Sequence, residues 1–165
     1  MQVDDIKKAV CFWINTWHGG DPVAIVTPSD HEAPSGTYIA VRDLGVENFG
    51  RPLKPPPGSR ADENPTRFLY VAELQITEVE GAGELLRSIR NEMLLENFRE
   101  YAEKNGFTLW TVGDIVNNDM EVGKFWVRQK SFGVSVNFTD VVMRSHEKAE
   151  SVGLEINGTE LNINL

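Results

Sequence analysis

The clearest strand pattern in the chain is in KFWVRQKSFGVSVNF, residues 124–138. From Phe132 to Phe138, apolar side chains alternate with small or polar ones, which is the pattern of a β-strand with one face in a core. We predict one long strand over residues 124–143, preceded by a turn at DMEVG, residues 119–123. A typical strand has roughly five or six residues, so this one is longer than a compact core requires.

The first part of that strand contains three consecutive apolar residues, Phe125, Trp126 and Val127, so apolar side chains lie on both of its faces. In a monomer one of those faces would be exposed, and exposed aromatic and arginine side chains are typical of protein interfaces. We therefore predict a subunit or partner interface at Phe125, Trp126, Arg128 and Lys130, where the two bases could reach acidic groups on a neighbour. The alternative is that a helix covers Trp126 and that a β-bulge changes the buried face.

Outward from this stretch, the sequence predicts further strands. Residues 37–44 and 68–76 predict strands whose successive side chains lie on opposite faces, and residues 23–26 form a short β-branched run. Residues 107–118 predict a strand or two with a kink at Gly113. The core-facing residues of the 68–76 strand are Phe68, Tyr70, Ala72, Leu74 and Ile76.

Helical spacing of apolar residues occurs twice. Residues 4–17 predict an N-terminal helix, and residues 81–106 predict a second, central helix or helix pair with a break near residues 95–97. The pattern contains no internal repeat and no second core. We therefore predict a single α+β domain over residues 1–165, in which these helices pack on one face of a mostly antiparallel sheet.

Two segments complete the prediction. Residues 45–66 hold five of the eight prolines and have almost no periodicity, so they predict a long proline-rich loop. Within it, Pro55, Pro56 and Pro57 favour a stiff extended arm and are further candidates for an interface; the alternative is a mobile surface loop. Residues 154–165 predict a C-terminal β-hairpin with Asn157-Gly158 as its turn.

Composition restricts the class of protein. The chain has 165 residues, 41% hydrophobic and 25% charged, which is typical of one globular domain. Its net charge of −9 disfavours tight binding to nucleic acid. No apolar run approaches the roughly eighteen residues that a membrane helix needs. The acidic N-terminus does not resemble a signal peptide, so we expect synthesis in a cytoplasm and no membrane association.

The sequence contains none of the familiar catalytic motifs. The histidines lie far apart, and HExxH, GxSxG and phosphate-loop patterns do not occur. The single cysteine, Cys11, excludes an internal disulfide, and within the first helix it is typical of a buried structural thiol. The acidic pairs Asp4-Asp5 and Glu78/Glu80 are more typical of solvated surface charge than of a weak Ca²⁺ site. We therefore predict no catalytic residue, no metal and no cofactor, and expect a protein that is not an enzyme.

Four stretches, taken in order, resemble segments of the phage neck or tail terminator proteins, which complete the head-proximal end of a tail. They are DDIKKAVCFWINTW, SDHEAPSGTYIAVR, YVAELQITEVEGAGELLRSIRNEM and VRQKSFGVSVNFTDVV, at residues 4–17, 29–42, 70–93 and 127–142. Their order and spacing hold over nearly the whole chain. Two features depart from the family pattern: the segment before APSG lacks the family's tryptophans, and the loop at residues 45–66 is longer than usual.

This resemblance implies a structural virion protein of a tailed phage, made in the host cytoplasm. Proteins of the family form a ring, usually a homo-hexamer, that stops polymerisation of the tail tube and joins the tail to the neck. The implied partners are further copies of the chain, the tail tube protein, a neck or connector protein and, in a contractile tail, the sheath protein. Genomic DNA would pass through the lumen without specific binding, and the family offers no catalytic residues to carry over.

Two other classes of function are compatible with parts of the sequence. One is a small α+β ligand-binding domain or enzyme whose site is not recognisable from motifs. The other is a nucleic-acid-binding module, which the acidic composition and the lack of a basic-aromatic cluster disfavour. The mass of the protein in solution separates a ring from a monomer that binds a small molecule.

Overall fold

The computed structural model describes residues 2–19, 23–28, 34–50, 66–142, 151–156 and 159–164. Over these residues the chain is an α+β domain in which helices pack on a mostly antiparallel sheet, so the predicted fold class is confirmed. The described helices are α1 (Val3–Trp17), α2 (Glu84–Met93) and α3 (Glu96–Lys104).

The strands form one large sheet and two separate hairpins. The large sheet has the order β1-β2-β3-β8-β4, with β5 also paired to β8; β1 and β2 are parallel, and the other pairs are antiparallel. Among the described residues, β6 and β7 pair only with each other, as do β9 and β10. The strands are β1 (Ala24–Val26), β2 (Tyr38–Asn48), β3 (Thr66–Val79), β4 (Phe107–Val112), β5 (Val116–Asn117), β6 (Met120–Val122), β7 (Phe125–Val127), β8 (Gln129–Val142), β9 (Ser151–Ile156) and β10 (Thr159–Asn164).

The centre of the sheet is the pairing of β3 with β8, which is continuous from Thr66↔Val142 to Val79↔Gln129. The alternation predicted for both strands is confirmed, because apolar side chains on one face of each are buried in a single core. Phe68 and Tyr70, at the start of β3, are only partly buried. The fully or almost fully buried members are Ala72, Leu74 and Ile76 on β3 and Phe132, Val134, Val136 and Phe138 on β8.

The helices cover this apolar face. Each helix buries one stripe of regularly spaced apolar side chains. The Tyr101 hydroxyl donates a hydrogen bond to the Ala9 carbonyl at 2.9 Å, which joins α3 to α1. The predicted break in the central helix is present between α2 and α3, at Leu94 and Leu95. The buried residues of the three stripes are Ile6, Val10, Ile14, Leu86, Ile89, Met93, Phe98 and Ala102.

Two predicted boundaries are wrong. The proline-rich loop was expected at residues 45–66, but β2 continues to Asn48 and β3 begins at Thr66. A bulge between Asp43 and Gly45 lets β2 resume its pairing with β3, so residues without an alternating pattern still form a strand. The C-terminal hairpin begins at Ser151, earlier than the predicted residue 154. Residues 55–57 and the predicted turn at 157–158 lie outside the described residues.

The long strand predicted over residues 124–143 is also wrong in its first part. Strand β7 leaves the large sheet and folds back on β6, and β8 begins only at Gln129. The turn between β6 and β7 starts at Gly123, whose φ of +66° is a conformation that glycine adopts without steric cost. The segment DMEVG is therefore mostly strand, and the extra length belongs to a second hairpin rather than to the core.

Candidate subunit interface

The β6–β7 hairpin, residues 120–127, has two chemically different faces. Its register pairs Met120 with Val127, Glu121 with Trp126 and Val122 with Phe125. Residues directly opposite one another in an antiparallel pair share a face. One face is therefore wholly apolar and consists of Met120, Val122, Phe125 and Val127; we call it the apolar hairpin face. The other face carries Glu121 and Trp126.

Most of both faces of this hairpin is exposed to solvent, although Val127 is partly buried. Phe125 is 78% exposed and Trp126 is 71% exposed, while Met120 and Val122 are about half exposed. The alternative interpretation, in which a helix covers Trp126, does not hold for the described residues. A two-stranded hairpin is marginally stable alone in water, and a contiguous exposed apolar surface is typical of an interaction site.

The root of the hairpin is held by hydrogen bonds around Asp119. The Asn118 amide N–H donates to the Gln129 carbonyl at 2.7 Å, and the Gln129 N–H donates to Asp119 Oδ1 at 2.9 Å. The Asn117 side-chain amide donates to Asp119 Oδ2 at 3.1 Å, and that of Asn118 donates to Ser131 Oγ. The hydrogen bond from the Gln129 N–H, and after it the one from the Asn117 side chain, hold the pKa of Asp119 below its ordinary value. The base of the hairpin is therefore fixed by hydrogen bonds, although most of the side chains on its faces are exposed.

The two predicted bases are placed differently. Arg128 is exposed where β7 meets β8, and its carbonyl accepts the Glu80 N–H at 2.8 Å. Lys130 is half-buried, and its ammonium donates to the Ala82 carbonyl at 2.5 Å, so its charge lies against the turn that precedes α2. The structure thus brings Phe125, Trp126 and Arg128 to one exposed region and turns Lys130 toward its own subunit.

Glu78 has a structural role that differs from the predicted one. Its carboxylate is buried, with Oε1 accepting the Gly83 N–H and Oε2 accepting the Leu86 N–H, each at 2.7 Å. It therefore caps α2, and its prediction as surface charge is wrong. A Cβ at Gly81 would lie 1.8 Å from Glu78 Oε1, so this turn requires glycine. The signal was available, because Glu78 continues the core-facing alternation of β3 beyond Ile76.

A second buried charge joins α1 to β2. The Lys7 ammonium lies 2.6 Å from Asp43 Oδ1 and 2.8 Å from Asp4 Oδ1, and the side chain is only 6% exposed. Burial lowers the pKa of Lys7, but the hydrogen bonds and charges of Asp4 and Asp43 outweigh it, so the pKa is raised. The hydrogen bond from Lys7 lowers the pKa of Asp43. The pair therefore fixes the helix beside the bulge in β2.

Two open grooves lined by described residues are large enough to hold a small ligand. One, of about 490 Å³, lies between the end of α1 and the start of α2 and includes His18 and Glu84. The other, of about 350 Å³, lies on the polar face of the sheet. There Arg42 Nε donates to Gln75 Oε1 at 2.5 Å, and the Gln75 amide donates to Ser131 Oγ at 3.1 Å.

Burial raises the pKa of the Cys11 thiol to about 12.

Comparison with protein-family models gave no match, and comparison with curated proteins gave none either. Within the described ranges, no group of three or more His, Cys, Asp and Glu side chains is placed to hold a metal ion. No helix among the same residues is long and apolar enough to cross a membrane.

Proposed function

We propose that this chain is a structural virion protein of a tailed phage, a tail terminator or neck protein that assembles into a ring at the head-proximal end of the tail tube. The observation that carries the proposal is the apolar hairpin face, because it is a contiguous apolar surface exposed on a rooted arm. Association with a neighbour would remove that surface from water. The ring is a homo-hexamer, as the resemblance implies.

The order of elements supports the same function. The stretches that resemble the tail terminator proteins overlap α1, the first part of β2, the passage from β3 to α2, and β8; residues 29–33 of the second stretch lie outside the described residues. The glycine turn between β3 and α2 has a physical role here, since it wraps around the capping carboxylate of Glu78. The resemblance therefore rests on segments that determine this fold.

An arm that contacts a different surface on the next copy makes a heterologous contact, and such contacts close into a ring when the rotation between copies is right. The ring would stop polymerisation of the tail tube and bind the neck or connector protein, together with the sheath protein in a contractile tail. A net charge of −9 suits a lumen through which DNA passes without adhering.

Immunoelectron microscopy of virions tests this function by location. Antibodies raised against the purified chain should place gold particles at the junction between head and tail, in virions that have been mildly disrupted to expose the neck. Gold on the capsid, on tail fibres, or on no virion structure at all would contradict the proposed function. Labelling with antibodies against a capsid protein is the control for access.

A further inference from the structure

Strand β2 has an open edge in its second half. Strand β1 pairs only with Ile39–Val41, and the last bond on that side is from the Thr27 N–H to the Val41 carbonyl at 2.8 Å. No described residue pairs with the outer side of β2 over residues 43–48. On the inner side, the Phe49 N–H donates to the Leu69 carbonyl at 2.9 Å. By the alternation of antiparallel pairs, Val46 and Asn48 therefore direct their N–H and C=O groups outward.

This edge is apolar as well as open. Leu44 is 58% exposed and Val46 is 45% exposed, whereas the ring of Phe49, although exposed, packs edge-to-face against that of Trp110 at 5.9 Å between centroids. Natural proteins normally cover or charge such an edge, because its free backbone groups are a template for another strand. An edge with exposed apolar side chains is therefore suited to strand addition, in which main-chain hydrogen bonds join the partners.

Strand β7 has the complementary features. It pairs with β6 on one side, and no described residue pairs with its other side. It is flanked by two bases, Lys124 and Arg128, with no acid between them. Residues 43–48 of β2 contain two acids, Asp43 and Glu47, and no base, although Asp43 already bonds Lys7. The charges of the two strands are thus complementary.

The hairpin cannot reach the open edge of its own subunit. Gln129, at its root, pairs with Val79, and Val79 pairs with Tyr38, which is the opposite end of β2 from the edge. Val46 pairs with Ala72, about seven residues along β3 from Val79, or about 23 Å at roughly 3.3 Å per residue. Each strand of the hairpin has 3 residues, which span only about 10 Å.

We propose that the open edge of β2 receives β7 from a second copy of this chain. The added strand would bond the outward groups of Val46 and Asn48 and cover the exposed apolar side chains of both strands. Lys124 and Arg128 would lie near Glu47 of the next copy. This inference rests on the proposed ring, for which it names both sides of the subunit contact.

Disulfide trapping between two single-cysteine proteins tests this contact, in a background with Cys11→Ala. One protein carries Val127→Cys on β7, and the other carries Leu44→Cys, Val46→Cys or Asn48→Cys on the β2 edge. We expect oxidation of an equimolar mixture to give a covalent dimer for at least one edge position, and neither protein alone to form such a dimer. Thr108→Cys, exposed on β4 at the other edge of the sheet, is the control and should stay unlinked.

The outcomes separate the two proposals. Oligomers that form without any link to the β2 edge, or that link Val127→Cys to Thr108→Cys instead, would overturn this contact and leave the ring standing. That result would also be obtained if residues 51–65 of the same chain cover the edge. Protein that stays monomeric before and after oxidation would overturn both the contact and the ring.

Discussion

The carboxylate of Glu78 lies 2.7 Å from the backbone nitrogen of Leu86 and accepts its hydrogen bond at the start of α2. The first N–H groups of a helix have no partner within it, and the helix dipole favours a negative charge at this end. Because the carboxylate comes from β3, the bond also joins the helix to the centre of the sheet. A buried acid thus connects two of the elements that form the core.

Replacing Glu78 should therefore destabilise the fold. We expect Glu78→Ala to lower the free energy of unfolding by about 1–3 kcal/mol, because two buried N–H groups lose their acceptor. Urea unfolding followed by circular dichroism measures this change. Glu80→Gln is the matched control, since Glu80 is exposed two residues away, and it should change stability little. Equal effects of the two substitutions would show that the cap does not stabilise the helix.

The bond between Lys7 and Asp43 predicts a dependence of stability on pH. The pKa of Asp43 is lowered on folding, so its contribution is present above the ordinary value of 3.8 and is lost as pH falls through the lower folded value. The pKa of Lys7 is raised, so its contribution is present below 10.5 and is lost as pH rises through the higher folded value. Wild type and Asp43→Asn should differ in unfolding free energy at neutral pH and converge in acid below 3.8.

Urea unfolding at a series of pH values measures that convergence. The control is Glu100→Gln, which removes the exposed pair of Glu100 with Lys104 and should have little effect at any pH. A stability difference between wild type and Asp43→Asn that stays constant down to strong acid would mean that the carboxylate of Asp43 does not titrate with folding.

Asp119 should control the root of the β6–β7 hairpin. Its pKa is lowered by the bond from the Gln129 N–H, so this bond should persist at neutral pH and weaken only as pH falls below 3.8. The Gln129 amide proton, followed by NMR, should report a titration midpoint below that value. Asp119→Asn keeps an acceptor and should preserve protection of this amide from hydrogen exchange, whereas Asp119→Ala should lose it. A midpoint at the ordinary value or above would contradict the bond.

Replacing side chains by alanine should affect stability in the buried part of residues 124–138 and association in the exposed part. Val134 is buried in the core, so Val134→Ala should lower stability by roughly 1–3 kcal/mol with little specific effect on assembly. Trp126 and Arg128 are exposed, so Trp126→Ala with Arg128→Ala should leave the folded monomer intact, with a melting temperature nearly unchanged at concentrations where both proteins are monomeric. Loss of an interface anchor costs about 2 kcal/mol or more, so association should weaken at least about tenfold.

Circular-dichroism melting beside sedimentation velocity measures both effects. If Trp126→Ala reduced the melting temperature as much as Val134→Ala does, Trp126 would be part of the folded core. If the double substitution left both folding and association unchanged, the exposed aromatic and arginine would have no role in contacts between copies.

The sequence predicted the elements whose pattern is set by one continuous core. The alternation at Phe132 to Phe138 and the helical spacing at Ile6 and Val10 follow directly from burial, and the structure confirms both. The β2 extension could not be predicted, because residues 45–48 have no alternation and become strand through pairing with β3.

The β6–β7 hairpin was missed for a different reason. Only Arg128 separates β7 from β8, and no glycine or proline marks the point where the chain leaves the large sheet. The prediction did place Phe125, Trp126 and Arg128 together in an exposed region, and their role between subunits stays a prediction. Glu78 was missed because an acid on a strand was taken for surface charge, although its position in the alternation points inward.

The molar mass of the purified chain, measured by size-exclusion chromatography with light scattering over a range of concentrations, bears most directly on ring formation through the apolar hairpin face. We expect the wild type to have six times the mass of the 18.5 kDa chain. Val122→Ser with Phe125→Ser should elute at the mass of a single chain and keep the circular-dichroism spectrum of the folded protein, because both side chains are exposed. A wild type that is monomeric at every concentration, or an oligomer that the double substitution does not alter, would contradict a ring built on this face.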